Sequence, residues 1–246
     1  MYGFVHVLTL VRSANSNNAL FKAAGAAPVV GKVELEKISW MMPRVVPNEE
    51  ETLKLYKVIE KKETLAVGFR MRQCTNVQLP VARPFTWRLG VRSAPEKPRY
   101  MMIAFQTGKV NDQITNPALF DHCNVTNMYI LLNNIRYPAI DFNVDFAKNE
   151  YENLYKNMVD FMREYYGVDS LVSTIGVDPI RYKELYPIFV FDVSKQSERL
   201  QQGVVDISVQ MMFGANIPAN TVAHALLISD RKLKFQSDGR KMNVVF

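Results

Sequence analysis

The strongest constraint on the fold lies in the C-terminal part of the chain, where short apolar runs follow one another with only turns between them. Four runs are rich in β-branched and aromatic residues, as strands are: Pro187–Val193, Gly203–Phe213, Thr221–Ser229 and Lys232–Phe235. No helical pattern of crossover length separates the runs after Gly203, so these strands cannot be parallel neighbours joined by βαβ connections. The pattern predicts a mainly β chain built as an antiparallel sandwich.

The N-terminal part of the chain is predicted to hold two strands joined by a flexible linker. Residues 1–12 are mostly apolar and predict the first strand, while Val33–Met41 shows partial alternation and predicts the second. Residues 13–32 are rich in Ser, Asn, Ala and Gly, which is typical of a linker. We therefore place a domain boundary there and expect residues 33–246 to form one domain.

Helix signals appear at three places. Asn48 precedes three glutamates, which indicates a capped helix with an acidic first turn that ends near Lys62. Apolar residues at spacings of three and four predict a second helix over residues 149–167, ended by Gly167. Asp178 followed by Pro179 predicts a short third helix. The remaining runs predict strands at Leu65–Arg72, Gln78–Val81, Thr86–Val91, Arg99–Gln106 and Val125–Asn133.

The chain carries none of the common motifs for nucleotide binding, zinc proteolysis or serine hydrolysis. His6, His122 and His224 are far apart in the sequence. Asp121, His122 and Cys123 adjoin, but neighbouring residues on a strand point to opposite faces, so a turn entering the next strand is the favoured interpretation. A His122/Cys123 nucleophile pair stays open, although no residue to orient it is apparent.

Two further patterns are weighed against structural roles. Asp141 and Asp145 form a carboxylate pair in an irregular strand, but general acid–base chemistry requires a cleft and separated pKa values. Trp40 and Trp87 offer a stacking platform for sugars or bases, although packing in a core or an interface is favoured. We predict no catalytic, cofactor-binding or metal-binding residues in this chain.

Charge, cysteine content and apolar runs bear on the partners and the cellular compartment of the chain. The formal net charge of +6 indicates a mildly basic surface, and no block of five or more basic residues forms a nucleic-acid-binding arm. With only Cys74 and Cys123, no disulfide framework is expected, and both side chains are predicted to be buried in the fold. The protein is predicted to be in a reducing, intracellular compartment. No apolar run approaches the roughly 20 residues that a membrane span requires.

Several phrases, taken in order from about Val33 to Phe235, resemble one known family. They are Trp40–Val45 with Leu53–Glu60, Arg99–Tyr100 with Ala104–Thr107, Phe120–Cys123, Leu131–Asn133 with Tyr137–Pro138, Asp145–Phe146 with Tyr165–Gly167, Val204–Ile207, Ile217–Thr221 and Ser229–Arg231. This series resembles the double jelly-roll-like proteins of invertebrate genomes. Those proteins are similar to the major capsid proteins of double jelly-roll DNA viruses and virus-like elements.

The resemblance implies a structural role without an active site. Family members form two jelly rolls side by side and assemble as trimers that tile a capsid. The implied partners are therefore copies of this chain in a homotrimer, neighbouring capsomers and minor capsid proteins, with packaged DNA met only through non-specific charge. The implied location is a virion or virus-like particle.

The resemblance also carries an expectation about domain content. Because a full double jelly roll is longer than this chain, residues 1–12 are expected to be the strand remnant of an upstream jelly roll. Residues 33–246 are then the second jelly roll, with two or three helices in its inter-strand connections. A second jelly roll alone would expose the apolar face that its twin covers, which predicts self-association.

Two other functions stay open. The first is a jelly-roll binding module, lectin-like or cupin-like, although a cupin needs a histidine-rich metal site and a lectin needs a calcium loop or an exposed aromatic cluster. The second, and weaker, is an enzyme that uses the Asp121-His122-Cys123 region.

Overall fold

The computed structural model describes most of the chain. The described residues are 7–12, 16–23, 25–27, 29–93, 97–168, 176–196, 205–238 and 242–245.

Three α-helices form where the local signals predict them. Helix α1 spans Glu49–Glu60, and the Asn48 side chain accepts a hydrogen bond from the Glu51 amide at 2.9 Å. Helix α2 spans Glu152–Tyr166 and ends at Gly167, which takes the left-handed conformation (φ 65°) that favours glycine. Helix α3 spans Pro179–Leu185 and is capped by Asp178. A single 3₁₀ turn covers Asn17–Ala19.

Nine strands make up the β structure of the described residues. They are β1 (Leu65–Gln78), β2 (Pro84–Ser93), β3 (Lys97–Thr107), β4 (Val125–Leu132), β5 (Ile135–Tyr137), β6 (Phe189–Asp192), β7 (Val205–Phe213), β8 (Thr221–Ser237) and β9 (Met242–Val245). All of their pairings are antiparallel. The predicted mainly β, antiparallel fold class is therefore confirmed.

The strand order is that of a jelly roll. The first strand pairs with the eighth, the second with the seventh, the third with the sixth and the fourth with the fifth, as if one long hairpin had been rolled up. Contacts of β8 with β3 and of β7 with β4 then complete two sheets. Sheet A has the order β1-β8-β3-β6, with β9 added to β8, and sheet B has the order β2-β7-β4-β5.

The core lies between the two sheets. Alternate residues of the central strands point inward, as in Ile207, Val209 and Met211 of β7, which are fully buried. Phe105 of β3 packs edge-on against Phe189 and Phe213, which joins the two sheets through aromatic rings. Residues 65–237 are called the sandwich below, and residues 7–64 the N-terminal region.

Helix α2 covers the outer face of sheet A. Tyr100 and Ile228 point away from the core and pack with Val190 and with Phe161 of the helix in a second, smaller apolar cluster. The Tyr100 and Phe161 rings meet edge-on with centroids 4.9 Å apart. Helices α2 and α3 both lie in the connection between β5 and β6, whereas α1 precedes β1.

Some predicted elements differ from the structure. Val33–Met41 is not a strand, and neither are residues 7–12, while residues 1–6 lie outside the described residues. A strand needs a neighbour for its backbone hydrogen bonds, and no described segment pairs with either stretch. The predicted strand at Leu65–Arg72 continues to Gln78, and residues 79–81 of the predicted Gln78–Val81 strand are not in a strand. Strand β8 likewise continues from Thr221 to Ser237.

Candidate functional site

The Asp121-His122-Cys123 sequence forms a turn into β4, as favoured from the sequence. Asp121 makes an isolated bridge to Phe105, and the His122 carbonyl accepts a hydrogen bond from the Val125 amide at 3.1 Å. Cys123 adopts a positive φ of 46°, which breaks the strand geometry at this point. The Asp121 carboxylate accepts hydrogen bonds from the Thr107 amide at 2.8 Å and from the Lys109 ammonium at 3.2 Å.

The chemistry of this turn does not favour a nucleophile. Burial raises the pKa of the Cys123 thiol to about 11, so the thiol is protonated near neutral pH and is a poor nucleophile. The His122 ring stacks on Phe146 with centroids 4.3 Å apart, and its Nδ1 atom accepts a hydrogen bond from the Asn124 amide. The contacts of the described residues include no hydrogen bond between His122 and Cys123.

A cleft of about 470 Å³ lies beside this turn, lined among others by Phe120, Lys183 and Pro218. The described residues contain no group of three or more His, Cys, Asp or Glu side chains that could hold a metal ion.

Asp141 and Asp145 anchor loops. Asp141 forms an ion pair with Arg136 and accepts a hydrogen bond from the Asn127 side chain, and the bond from Arg136 lowers the pKa of the carboxyl group. Asp145 pairs with Lys148 at 3.1 Å, which lowers its pKa as well. A general acid–base pair requires pKa values that move apart, whereas these two move in the same direction.

The two tryptophans and the two cysteines separate into buried and exposed members. Trp87 belongs to the core, whereas Trp40 is 47% exposed in the N-terminal region, so the two rings form no common platform. Cys123 is buried as predicted, but the prediction that Cys74 is buried is wrong. The even-numbered side chains of β1 point to the outer face of sheet A, and that face is exposed at Cys74.

The outer face of β1 is tied to the end of helix α2 by two arginines. The Arg70 guanidinium lies over the Tyr165 ring at 4.5 Å and donates to the Tyr165 carbonyl at 3.1 Å, at the negative end of the helix dipole. Arg72 donates to the Tyr165 hydroxyl at 3.1 Å, which lowers the pKa of that hydroxyl. No sequence pattern indicated this contact beyond the alternation of two arginines on a strand.

The edge of sheet A at β1 is free among the described strands. One side of β1 pairs with β8 along its whole length, from Leu65 opposite Phe235 to Gln78 opposite Val222, and no described strand pairs with the other side. The side chains that point toward the core are incompletely covered here, since Phe69 is 42% exposed. This edge thus presents both an exposed apolar side chain and backbone groups that can form hydrogen bonds with another strand.

The N-terminal region is the largest exposed apolar segment of the described chain. None of its described residues is buried. More than half of the exposed large hydrophobic side chains lie here, and they include Leu35, Ile38, Trp40, Met41, Met42, Val45 and Val46. Residues 35–47 make no hydrogen bond or ion pair within the described part of the chain. Such a display of apolar surface is typical of an interaction site.

A buried glutamine attaches the N-terminal region to the sandwich. The Gln113 side chain accepts a hydrogen bond from the Val29 amide at 3.1 Å and donates to the Val29 carbonyl at 2.8 Å. Its backbone carbonyl accepts from the Lys22 amide at 2.8 Å. Beyond Val29, the Val33 amide donates to the Ser16 hydroxyl at 3.3 Å and the Val33 carbonyl accepts from the Arg12 guanidinium. No sequence pattern pointed to this role for Gln113.

The outer face of sheet B is polar by contrast. Thr86 donates to Gln210 across the strands at 2.6 Å, and the Arg136 guanidinium lies over the Tyr129 ring at 4.0 Å.

The helices of the described residues include none with the length and apolar character of a membrane span.

Comparison with known proteins gives one family. The family model described as a double jelly roll-like domain matches residues 3–233. No curated protein matches the sequence.

Solved capsid structures share a remote likeness with the chain. A chain of the PBCV-1 virus capsid has 9% sequence identity and a TM-score of 0.41, and the match covers 79% of this chain and 54% of that one. A chain of the Sputnik virophage has 14% identity and a TM-score of 0.40, with 74% and 39% covered. The present chain thus spans about half, or less, of the capsid chains that it matches.

Proposed function

The chain belongs to the double jelly roll-like domain family, and from that premise we propose that it is a structural protein of the major capsid type. It assembles with copies of itself, by trimerisation, into a viral or virus-like shell. Its function depends on surfaces that contact other subunits and not on a catalytic centre.

The observation that carries this proposal is the exposed apolar surface of the N-terminal region. Val45 and Val46 are 87% and 78% exposed, next to Trp40 and Met41, and the described chain offers them no covering layer. When a partner covers apolar surface, the free energy falls by about 25 cal/mol for each Å² that is removed from water. Assembly supplies that partner.

The implied domain division belongs to the same proposal. Residues 1–12 represent the end of an upstream jelly roll, residues 13–32 the linker and residues 33–246 the jelly-roll domain. Its support is that β1 to β8, all within residues 33–246, form one eight-stranded jelly roll. Residues 33–64 belong to this proposed domain without contributing a strand to its sheets.

The remaining partners follow from the capsid role. Neighbouring capsomers and minor capsid proteins meet the outer surfaces, and packaged DNA meets the chain only through its basic excess of +6. The location is then a virion or virus-like particle.

The binding-module alternative has weaker support. The cleft beside Cys123 has charged groups at its rim, but a cupin-like site requires a cluster of metal ligands, which the described residues do not contain. We therefore retain the structural role alone.

The test is the mass of the purified full chain in solution, measured by light scattering during size exclusion, with negative-stain images of the peak. We expect a trimer, at three times the chain mass of 28.2 kDa, or a larger shell-like particle. The double variant Val45→Ser/Val46→Ser should shift the peak toward the monomer.

The matched control is Ile140→Ser/Ile180→Ser, which changes two side chains that are 73% and 66% exposed on the sandwich. This control should keep the oligomer. A strict monomer at all concentrations, also when an upstream jelly roll is joined to the chain, would overturn the proposed function.

A further inference from the structure

The free edge of β1 is a template for one more strand. Its outward backbone N–H and C=O groups have no partner strand among the described residues, although β1 is one of the longest strands of the molecule. Natural sheets rarely leave a long edge uncovered, because an exposed edge invites pairing with another chain. The question is which segment fits it.

Residues 33–41 have the properties of the missing strand. Residues 34–41 are exposed and Val33 is half-buried, the segment contains apolar side chains at Val33, Leu35 and Met41, and it lies in no helix or sheet. If the segment is extended, Val33 and Leu35 share one face and Glu34 and Glu36 share the other. Over residues 33–36 one face is then apolar and the other acidic, while Lys37 and Ser39 follow on the first face and Ile38 and Trp40 on the second.

The edge of β1 presents the complementary pattern. Arg70 and Arg72 point to the outer face of sheet A, where Arg72 lies opposite the outward Ile228. Both arginines contact Tyr165, and no described carboxylate lies within ion-pair distance of either. On the other face, Phe69 and Met71 are incompletely covered.

Charge and apolar pattern together set the direction of pairing. In an antiparallel register Glu34 lies opposite Arg72, Leu35 opposite Met71 and Glu36 opposite Arg70. The same register sets Met41 opposite Leu65, Trp40 opposite Ala66 and Lys37 opposite Phe69. A parallel register also pairs the charges, but it sets Trp40 against the polar Asn76.

Within one chain the segment and the edge do not pair, although both are exposed. We propose that residues 33–41 of one copy add as an antiparallel strand to the β1 edge of a second copy. Main-chain hydrogen bonds supply affinity, and the Glu34–Arg72 and Glu36–Arg70 pairs fix the register. The inference rests on the proposed self-assembly and names the contact that makes it.

Such a contact joins two different surfaces of the chain. A contact of this kind closes into a ring when the rotation between copies is suitable, and three copies form the ring in the proposed trimer. Every copy then offers one segment and receives one.

The natural thiol of Cys74 makes the contact testable in the full chain. In the antiparallel register Lys32, which precedes the paired segment and forms an ion pair with Glu34 at 2.6 Å, lies opposite Cys74. Directly opposed strand residues are close enough for a disulfide. We expect Lys32→Cys, oxidised with copper phenanthroline, to give reducible products at two and three chain masses. The Ile140→Cys variant, whose thiol is exposed on the sandwich and lies outside both partners of the contact, should give no such products through Cys74.

Two further variants separate a specific contact from chance collisions. Adding Cys74→Ser to Lys32→Cys should abolish the three-chain product. Adding Glu34→Arg/Glu36→Arg to Lys32→Cys should lower the crosslinked fraction by about tenfold, and combining it with Arg70→Glu/Arg72→Glu should restore it.

The outcomes distinguish this inference from the proposed function. A Cys74-dependent crosslink between chains supports the strand contact. A disulfide within a single chain overturns it, because the segment then folds onto its own edge. A trimer by light scattering without any crosslink overturns the strand contact and leaves the proposed function standing. A Cys74-dependent crosslink from a chain that reaches only a dimer in solution supports the contact and contradicts the proposed trimer.

Discussion

Trp40 is 47% exposed in the N-terminal region, whereas Trp87 is 6% exposed in the sandwich. The two regions are both rich in apolar side chains, yet the described residues of the first bury none of them and the second builds the core. The two regions differ because only the sandwich has, among the described residues, a second layer that covers its apolar side chains. In the sandwich each inward face meets the opposite sheet, while the segment around Trp40 has no facing element among the described residues.

The comparison teaches that apolar content alone does not produce a core. Hydrophobic burial requires two complementary surfaces, and strand backbones must also satisfy their hydrogen bonds. Residues 33–41 have the apolar content, but no described part of their own chain covers their apolar side chains or pairs with their backbone as a strand. A segment with this imbalance is suited to contact between chains.

Replacing each tryptophan in turn should give the largest contrast between the two regions. Trp87→Ala leaves a cavity in the core and should lower the free energy of unfolding by about 3–5 kcal/mol. Trp40→Ala removes an exposed ring and should change it by no more than about 0.5 kcal/mol. Guanidinium unfolding followed by circular dichroism, at a concentration where the chain is dissociated, measures both.

The separation of the two regions would be contradicted by a loss of more than about 1 kcal/mol from Trp40→Ala, since exposed sites rarely cost that much. The variant Trp87→Phe, which keeps most of the apolar volume, serves as the control and should fall between the two.

The helix caps give a smaller contrast of the same form. Asp178→Ala removes the cap of α3, which carries the fully buried Tyr182, and should lower the free energy of unfolding by about 1 kcal/mol. Asn48→Ala removes an equivalent cap of α1, which has no buried residue. Here we expect lower helical signal in the circular dichroism spectrum and an unchanged unfolding midpoint.

Rescue variants test the reason for this contrast. Asp178→Asn and Asn48→Asp keep a side-chain acceptor and should behave like the natural chain. If Asn48→Ala shifts the midpoint as much as Asp178→Ala does, then α1 is part of the cooperative unit.

Acid should act on the sandwich and give the smallest effect. Burial lowers the pKa of both His122 and His224 below their usual value of 6.5. Between the folded and the unfolded pKa values the unfolded chain binds more protons, so the folded state loses stability as pH falls below about 6.5. The melting temperature should decline from pH 7.5 to pH 5.

The double variant His122→Gln/His224→Gln should flatten this decline. A decline of the same slope in the variant would mean that other groups are responsible. The signal of α1 should not respond over the same range, because the described N-terminal region contains no histidine.

The elements that local chemistry specifies could be predicted from the sequence. The Asn48 and Asp178 caps and the Gly167 terminus involve residues only a few positions apart, and all three occur where the sequence indicates. The antiparallel sandwich was also predictable, because strands with only turns between them have few other arrangements.

The interaction surfaces could not be predicted, because they depend on distant residues. Arg70 and Arg72 meet Tyr165 more than ninety positions away, and Gln113 binds Val29 at a separation of 84. The prediction that Cys74 is buried was wrong for a similar reason. Its strand is at the edge of the sheet, and edge position depends on the pairing of the whole sheet.

The nested pairing of the strands has a consequence for synthesis. Among the described strands β1 pairs only with β8, so Gln78 cannot pair until Val222 is made, and Leu65 cannot pair until Phe235 is made. At a translation rate of about 5–20 residues per second, β1 leaves the ribosome roughly 7–30 s before its partner does. During that interval both edges of the strand are open to aggregation, and long-range pairing is slow even afterwards. The chain is therefore expected to depend on chaperones during translation, when many copies are made close together.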